Sequence, residues 1–479
     1  MRLILTLSLF VLAASVFIAG CKKSDPEKTD RLSTEKVITS FQLRPQENPG
    51  LRETINGVIS GDTIVVPYSG SLAVSGLMPY ITYNGAALSS GSGTRTDFTQ
   101  PVVYTVKAED GSMKEYDVFV TANKIVYIGS DDGNLYAIDA ASGVQRWKFE
   151  TGGAIRSSPT TAHGRVYVGS GDGSLYAIDS ATGSLKWMYA FNYPVNCCPT
   201  VSGDAVYAYC KANLVALDTA TGSVKWKYYT NDMGYSTQSP TVVNGKVYLS
   251  LFSGDFTIGA VDAVSGTPVW GYRAGAGFSN PAVVNGVVYA GDEVHKLMAL
   301  DAATGAMKWQ YSDRNLNGGT SPTVGAGKIF MPISDGTIYA IDSVAGTIQW
   351  KCVSIGYSGV GFQDATGITV GLWSSPMYAN GLVFCGNNDG LNYAINAATG
   401  AVEWKYGEGV ITRNSIATQA TVANDVVYFG TTSGQVVALD AMSGKMKWEF
   451  QTKGGVFSGA CVIGNDGLVR HPGTSGDTQ

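Results

Sequence analysis

Residues 175–189 read LYAIDSATGSLKWMY, and the architecture of the chain can be worked outward from them. Leu175 to Ile178 is a short apolar run. Asp179, Thr182 and Gly183 then interrupt it, and alternation restarts at Leu185 and carries Trp187. Asp can accept backbone N–H groups in an Asx turn, and Gly can take the left-handed conformation that closes a hairpin with a bulge. The stretch therefore reads as two antiparallel strands, with Trp187 and the small Ala177 turned into a layered core.

The same pattern recurs: an acid, two residues, Ser or Thr, Gly, three residues, Trp. It begins at Asp139, Asp179, Asp218, Asp262, Asp301, Asp342, Asn396 and Asp440. It ends at Trp147, Trp187, Trp226, Trp270, Trp309, Trp350, Trp404 and Trp448. Two copies depart, with Asn396 in place of the acid and Ala345 in place of the hydroxyl residue. Groups that recur in equivalent turns do one structural job, so these acids are read as turn formers and not as catalysts.

Upstream of each unit lies a second pair of strands. SSPTTAHGRVYVGS (157–170) is the clearest, echoed by QSPTVVNGKVYLS (238–250). Each repeat thus supplies four short strands, a to d. Such a sheet cannot bury both its faces alone, but it can when stacked radially against its neighbours. The expectation is an all-β chain whose bulk, residues 123–465, is an eight-bladed β-propeller. The first repeat starts at strand b, Lys124 to Gly129, while Val456 to Ile463 offers a surplus strand a near the end. Donation of that strand to the first sheet would complete eight blades, whereas an open solenoid would leave edges.

Ahead of the repeats, Val37 to Leu43, Asp62 to Val66, Val102 to Ala108 and Tyr116 to Thr121 have the pattern of strands. Glu109-Asp110-Gly111-Ser112 makes a hairpin-type turn between the last two. Residues 37–122 are expected to form a small immunoglobulin-like β-sandwich, and residues 466–479 a tail. The segments ITSFQL, GDTIVVPY, DFTQPVVYTV and AEDGSMKEYDV resemble the accessory sandwich domains of Bacteroidetes envelope lipoproteins, which implies a rigid spacer.

Composition agrees with many short strands joined by tight turns: 15% charged residues, 60 Gly and 26 Tyr. The net charge of −5 and the absence of a basic cluster argue against nucleic acid as a partner. Met1-Arg2 is followed by an apolar run from Leu3 to Ala19 and then Gly20-Cys21, the form of a secretory signal (1–20) ending at a cysteine. It resembles the lipobox of bacterial lipoproteins, which implies a lipid anchor on Cys21 and a flexible tether over 21–36. Of the six remaining cysteines, Cys197 and Cys198 are adjacent, and no repeated CxxC framework appears.

The repeats AIDAASGVQRW, AIDSATGSLKW and ALDTATGSVKW resemble the PQQ-like propeller repeats, named after the pyrrolo-quinoline-quinone dehydrogenases. By length and organisation the chain also resembles the lipid-anchored propeller family of the outer-membrane β-barrel assembly machinery. That resemblance implies an outer-membrane lipoprotein on the periplasmic or cell-surface side, non-enzymatic and monomeric by itself. It would bind or scaffold an envelope protein partner, in outer-membrane protein assembly. Two alternatives stand beside it: a quinone-dependent dehydrogenase, and a surface glycan-binding protein. The dehydrogenase resemblance would place a quinone and Ca²⁺ in the central funnel, with Asn196-Cys197-Cys198-Pro199 as the matching feature and Asp364 and Glu408 as nearby acids.

Loops from each strand d to the next strand a converge at one mouth, and the scaffold leaves their residues free to vary. The candidate binding surface there is Arg156, Cys197, Cys198, Tyr235, Gln238, Phe278, Asn280, Arg314, Asn317, Trp373, Arg413, Asn414 and Gln419, with Phe457 beside them. Such a mixture of aromatic, amide and guanidinium groups suits a peptide, a sugar or another protein surface. His163, His295 and His471 are scattered, so no catalytic triad, metal site or cofactor is assigned.

Overall fold

A computed structural model describes residues 32–51, 54–68, 74–89, 92–99, 101–122, 125–140, 142–232, 239–251, 256–273, 275, 279–292, 296–313, 320–333, 337–353, 374–386, 391–407, 418–463 and 469–470. The fold is all-β. Among the described residues no helix is long and apolar enough to cross a membrane. The signal and lipid-anchor expectations, Cys21 included, lie outside the described residues.

The N-terminal unit is built from two sheets around one core. Val37–Leu43 pairs with Ile55–Asn56 on one side and Pro79–Asn84 on the other. The second sheet runs Val58–Ser60, Thr63–Tyr68, Met113–Ala122, Val102–Lys107, Ala87–Leu88. Phe41 and Ile81 from the first sheet meet Ile64, Val66, Tyr104 and Val118 from the second, all buried. The expected hairpin is present, with Gly111 at φ 85° and the Asp110 carboxylate accepting the Ser112 N–H at 2.9 Å. The sequence did not reveal that Thr63–Tyr68 joins Met113–Ala122 in parallel.

The repeats form a series of four-stranded antiparallel sheets in a propeller-like arrangement. With the sheets numbered 1 to 8 in chain order, sheet 2 is typical: Thr160–Ala162, Arg165–Gly169, Ser174–Asp179 and Leu185–Ala190 pair in that order, and the first of them, on the inner side, meets the first strand of the next sheet. Strands b and c are buried on both faces, because neighbouring sheets cover them; strand d is exposed on one face and buried or half-buried on the other. The register places each Trp of strand d opposite the Ala of strand c, as in Ala177↔Trp187. A bulge follows at once, between Ala177 and Ile178, and it recurs at the same place in every sheet of the series.

The turn chemistry matches the sequence reading. Asp179 Oδ1 accepts N–H groups from Ala181 and Thr182, and Asn396 does the same with Ala398 and Thr399. The glycine has a second duty that sequence alone hid. A Cβ on Gly183 (φ 73°) would meet the Trp147 ring of the preceding sheet at 2.8 Å, and one on Gly143 would meet Trp448 at 2.9 Å. Each Trp therefore sits between sheets and not within one: Trp187, Trp226 and Trp448 are buried, and the other five are half-buried.

Contacts between sheets run in one direction along the series. Trp147 Nε1 donates to Ser180 O (3.1 Å), Trp187 to Thr219 O (3.0 Å) and Trp226 to Ala263 O (3.0 Å). Trp270, Trp309, Trp350 and Trp404 continue to Ala302, Ser343, Ala397 and Ala441. Trp448 then donates to Ala140 O at 2.9 Å, back in sheet 1. The C-terminal strand is shorter than the sequence suggested: Cys461–Ile463, paired with Ile125–Gly129 through Cys461↔Tyr127 and Val462↔Val126. Beyond it, Val469–Arg470, within the expected tail, adds a fifth strand to the same sheet.

Candidate functional site

At the inner end of the sheets the sequence repeats a three-residue motif, Ser-Ser-Pro at 157–159 and 374–376 and a variant of it in the other sheets. Its first residue ties strand a to the end of strand b. Ser157 Oγ accepts the Gly169 N–H (3.1 Å), Ser279 the Gly291 N–H (2.7 Å), Ser374 the Gly386 N–H (2.8 Å) and Ser458 the Gly129 N–H (2.8 Å). Thr418 Oγ1 does so for Gly430 at 2.8 Å. Those glycines leave space for the next inner loop: a Cβ on Gly129 would fall 2.1 Å from Ile155 Cγ2, and one on Gly430 2.1 Å from Val456 Cγ1.

The second residue of the motif links sheet to sheet. Gly459 N–H donates to Ser158 Oγ (2.8 Å), Ser158 N–H to Cys198 Sγ (3.3 Å) and Cys198 N–H to Ser239 Oγ (2.8 Å). Ser239 N–H continues to Asn280 Oδ1 (2.7 Å), Asn280 N–H to Ser321 Oγ (3.0 Å) and Ser321 N–H to Ser375 Oγ (3.0 Å). Two residues further on, Thr200, Thr241 and Thr421 hydroxyls donate to the carbonyls of Pro240, Pro281 and Ala460 in the following sheets. The inner wall is thus a belt of hydroxyl, thiol and amide groups engaged with one another.

Cys197-Cys198-Pro199 is this motif with sulfur for oxygen. Cys197 is 1% exposed, and its Sγ accepts the Tyr209 N–H at 3.3 Å, the bond a serine makes in sheet 2. Both thiols are free. Burial pushes the Cys197 thiol well above its ordinary value, which keeps it protonated and unreactive. The Ser-Ser-Pro repetition was the signal that could have placed this pair; adjacency of the cysteines drew attention away from it.

Of the expected surface, Arg156, Cys197, Cys198, Asn280 and Gln419 fall among the described residues. Tyr235, Gln238, Phe278, Arg314, Asn317, Trp373, Arg413 and Asn414 lie outside them. So do Asp364, Glu408, His295 and His471. Cys198 and Asn280 are half-buried in the belt and Gln419 is half-buried; Arg156 is exposed. Arg156 makes two 2.9 Å bonds to the Asp131 carboxylate, and its guanidinium lies 5.1 Å from the centre of the Phe457 ring. Phe457 is 46% exposed, and Tyr193, 44% exposed, carries Lys211 Nζ at 3.7 Å from its ring centre. Aromatic rings paired with cations on exposed loops are suited to another macromolecule's surface. His163, in the a–b turn of sheet 2, is bonded through Nε2 to Gly203 O at 2.8 Å.

Below these loops, Asp172 gathers the Tyr176 hydroxyl (2.7 Å), the Ser174 N–H (2.9 Å) and the Gly152 N–H of the preceding sheet (2.8 Å). Desolvation is the largest influence on its carboxyl and pushes upward, but the donors together hold it below the ordinary range. Asp132 repeats the arrangement with Tyr136 (2.7 Å), Asn134 (3.0 Å) and the Lys453 N–H of sheet 8 (2.9 Å). The string GSGDGS (169–174) is therefore the turn between strands b and c of sheet 2. Among the described residues no group of three or more His, Cys, Asp or Glu is placed to hold a metal ion.

A family described as outer membrane protein assembly factor BamB matches residues 105–311, 254–361 and 360–456, and one described as SGBP, N-terminal, matches 38–120. The dehydrogenase subunit of an alcohol dehydrogenase (quinone) from Gluconobacter oxydans is 31% identical over 143 residues, covering 26% of this chain and 18% of the relative. An outer membrane protein assembly factor BamB from Moranella endobia is 35% identical over 107 residues, covering 22% and 26%. The alignments thus span about a quarter or less of these relatives' lengths. The crystal structure of BamB from Moraxella catarrhalis is similar in fold, with a TM-score of 0.51 at 20% identity, covering 68% of this chain and 91% of that one. With matches that run from 105 to 456, the chain belongs to the PQQ-repeat family described as outer membrane protein assembly factor BamB.

Proposed function

We propose that the protein is a non-enzymatic envelope lipoprotein, anchored through Cys21, that binds or scaffolds a protein partner in outer-membrane protein assembly. In this reading residues 37–122 are an immunoglobulin-like spacer and 123–465 a closed eight-bladed propeller. The partner meets the exposed loops around Arg156, Phe457 and Tyr193. What carries the reading is the inner belt. Ser158, Cys198, Ser239, Asn280, Ser321 and Ser375 are engaged in bonds to neighbouring sheets, so recognition is left to the outer surface of the loops.

The second reading, a quinone-dependent dehydrogenase, has the stronger support from sequence similarity. Quinone alcohol dehydrogenase subunits of three further bacteria match at 30%, 30% and 32% identity. The described inner wall does not fit a planar quinone with a divalent cation. Its donors are neutral, already bonded to one another, and include no cluster of carboxylates. The repeat tryptophans stand between sheets on the outer strands and offer no platform at the centre.

One experiment separates the two. Lipidated protein is used for a membrane pull-down beside an Arg156→Glu/Phe457→Ser variant, and the same preparation is titrated with pyrrolo-quinoline quinone and Ca²⁺. Recovery of a specific outer-membrane partner by the unaltered protein, weakened by the variant, is the expected result. Tight quinone binding with dye-linked alcohol oxidation would replace this reading with the second.

A further inference from the structure

We propose that the axial edge of Cys461–Ile463 is a strand-accepting site whose resident occupant is the chain's own Val469–Arg470. Among the described residues, strand a is the innermost strand of sheets 2 to 8, and each of those sheets stops there. Sheet 1 goes on. Its order from outside inward is Gln145–Glu150, Asn134–Asp139, Ile125–Gly129, Cys461–Ile463 and then Val469–Arg470, in antiparallel register Val462↔Arg470 and Ile463↔Val469. The added strand also lies against Thr160–Ala162 and Thr421–Ala423, the inner strands of the two flanking sheets. It therefore pairs with one inner strand and lies beside the inner strands of both flanking sheets.

The physical reason for such a site is the open edge. An unpaired strand presents a row of N–H and C=O groups, and an extended segment that pairs with it satisfies both. Cys461–Ile463 runs toward the side of the a–b turns, as Thr160–Ala162 does before His163, so the occupant closes the centre from that side. A tethered segment acts at an effective concentration on the order of millimolar, which a free peptide must exceed to displace it. An extended peptide approaching from the a–b side consequently meets this strand first, and pairs with Cys461–Ile463 only after it withdraws. The inference rests on the closed-ring reading above.

Hydrogen exchange on the full-length protein tests it, beside a chain ending at Ile463. In the full chain, peptides covering 469–470 should exchange at least tenfold more slowly than unstructured chain. In the shortened chain, peptides covering 160–162 and 421–423 should exchange faster while Asn134–Asp139 stays protected. Free exchange at 469–470 with 461–463 still protected would overturn the plug and leave the ring standing. Loss of protection at 461–463 as well would overturn the ring. Should the shortened chain fail to fold, seen as exchange throughout Asn134–Asp139, the full-chain measurement decides the matter.

Discussion

Asn396 donates its side-chain N–H to Glu403 Oε1 at 2.9 Å, and this amide–acid pair stands where four other sheets pair an acid with a cation. In sheet 2 the acid comes first and the cation second, Asp179 with Lys186 at 3.0 Å. The same order holds for Asp139 with Arg146, Asp301 with Lys308 and Asp440 with Lys447. Asn396 keeps the acceptor oxygen that the turn needs and supplies a donor for the acid opposite. Asn396→Asp should therefore destabilise by up to about 1 kcal/mol, since two carboxylates would face each other at the surface, and Glu403→Lys added to it should restore the loss. A double-mutant cycle by denaturant unfolding reads this; additive effects would refute the pairing.

The glycines of the repeat turns separate two costs. Gly286 (φ 75°) has nothing within 4 Å of an added Cβ, whereas Gly183 (φ 73°) would drive a methyl into the Trp147 ring. Gly286→Ala should cost about 1 kcal/mol for the backbone alone, and Gly183→Ala about 1–3 kcal/mol more. Equal losses would mean that the Trp contact contributes nothing.

Trp448 spans the junction between the last sheet and the first as Trp226 spans an internal one, at 2.9 and 3.0 Å. Trp448→Ala and Trp226→Ala should each cost about 3–5 kcal/mol. A much milder effect at Trp448, measured by chemical denaturation, would indicate an open stack.

Serine occupies the position of Cys197 in four described sheets, as Ser157, Ser279, Ser374 and Ser458. Cys197→Ser should leave the thermal midpoint nearly unchanged, while Cys197→Ala should lose about 1–3 kcal/mol by stranding the buried Tyr209 N–H. A midpoint that falls on adding reductant to the unaltered protein would show a disulfide where the structure has free thiols.

The turn acids predict an acid limb. Hydrogen bonds from Thr221 at Asp218, Ser265 at Asp262 and Ser443 at Asp440 hold these carboxyls below the ordinary value. At Asp179 burial pushes upward, but Lys186 and Thr182 outweigh it. A depressed folded-state value stabilises the fold above the unfolded value near ~4, and the benefit is lost as pH falls below it. Thermal midpoints should be level from pH 6 to about 4.5 and then fall steeply; a level midpoint down to about pH 2.5 would contradict this.

Most of the fold was legible because its rules are local. The acid and glycine of each turn, the alternation that carries Trp187, and the surplus strand near the C-terminus all act within a few residues of chain, and repetition made them audible. The candidate surface was less so. Arg156 could be read as a loop residue, but its Asp131 and Phe457 neighbours come from 25 residues before it and from the far end of the chain.

By itself the sequence determined the strands, the hairpins with their bulges, and the order in which the repeats follow one another, since each depends on side chains opposing their own near neighbours. Only the tertiary structure decided that Cys197 and Cys198 serve as serines, that each repeat glycine seats another sheet's tryptophan, and that Val469–Arg470 extends the first sheet. The contacts among these that cross from one sheet to another join residues about 40 to more than 300 positions apart. A one-dimensional pattern has no term for such distances until packing sets one sheet beside the next.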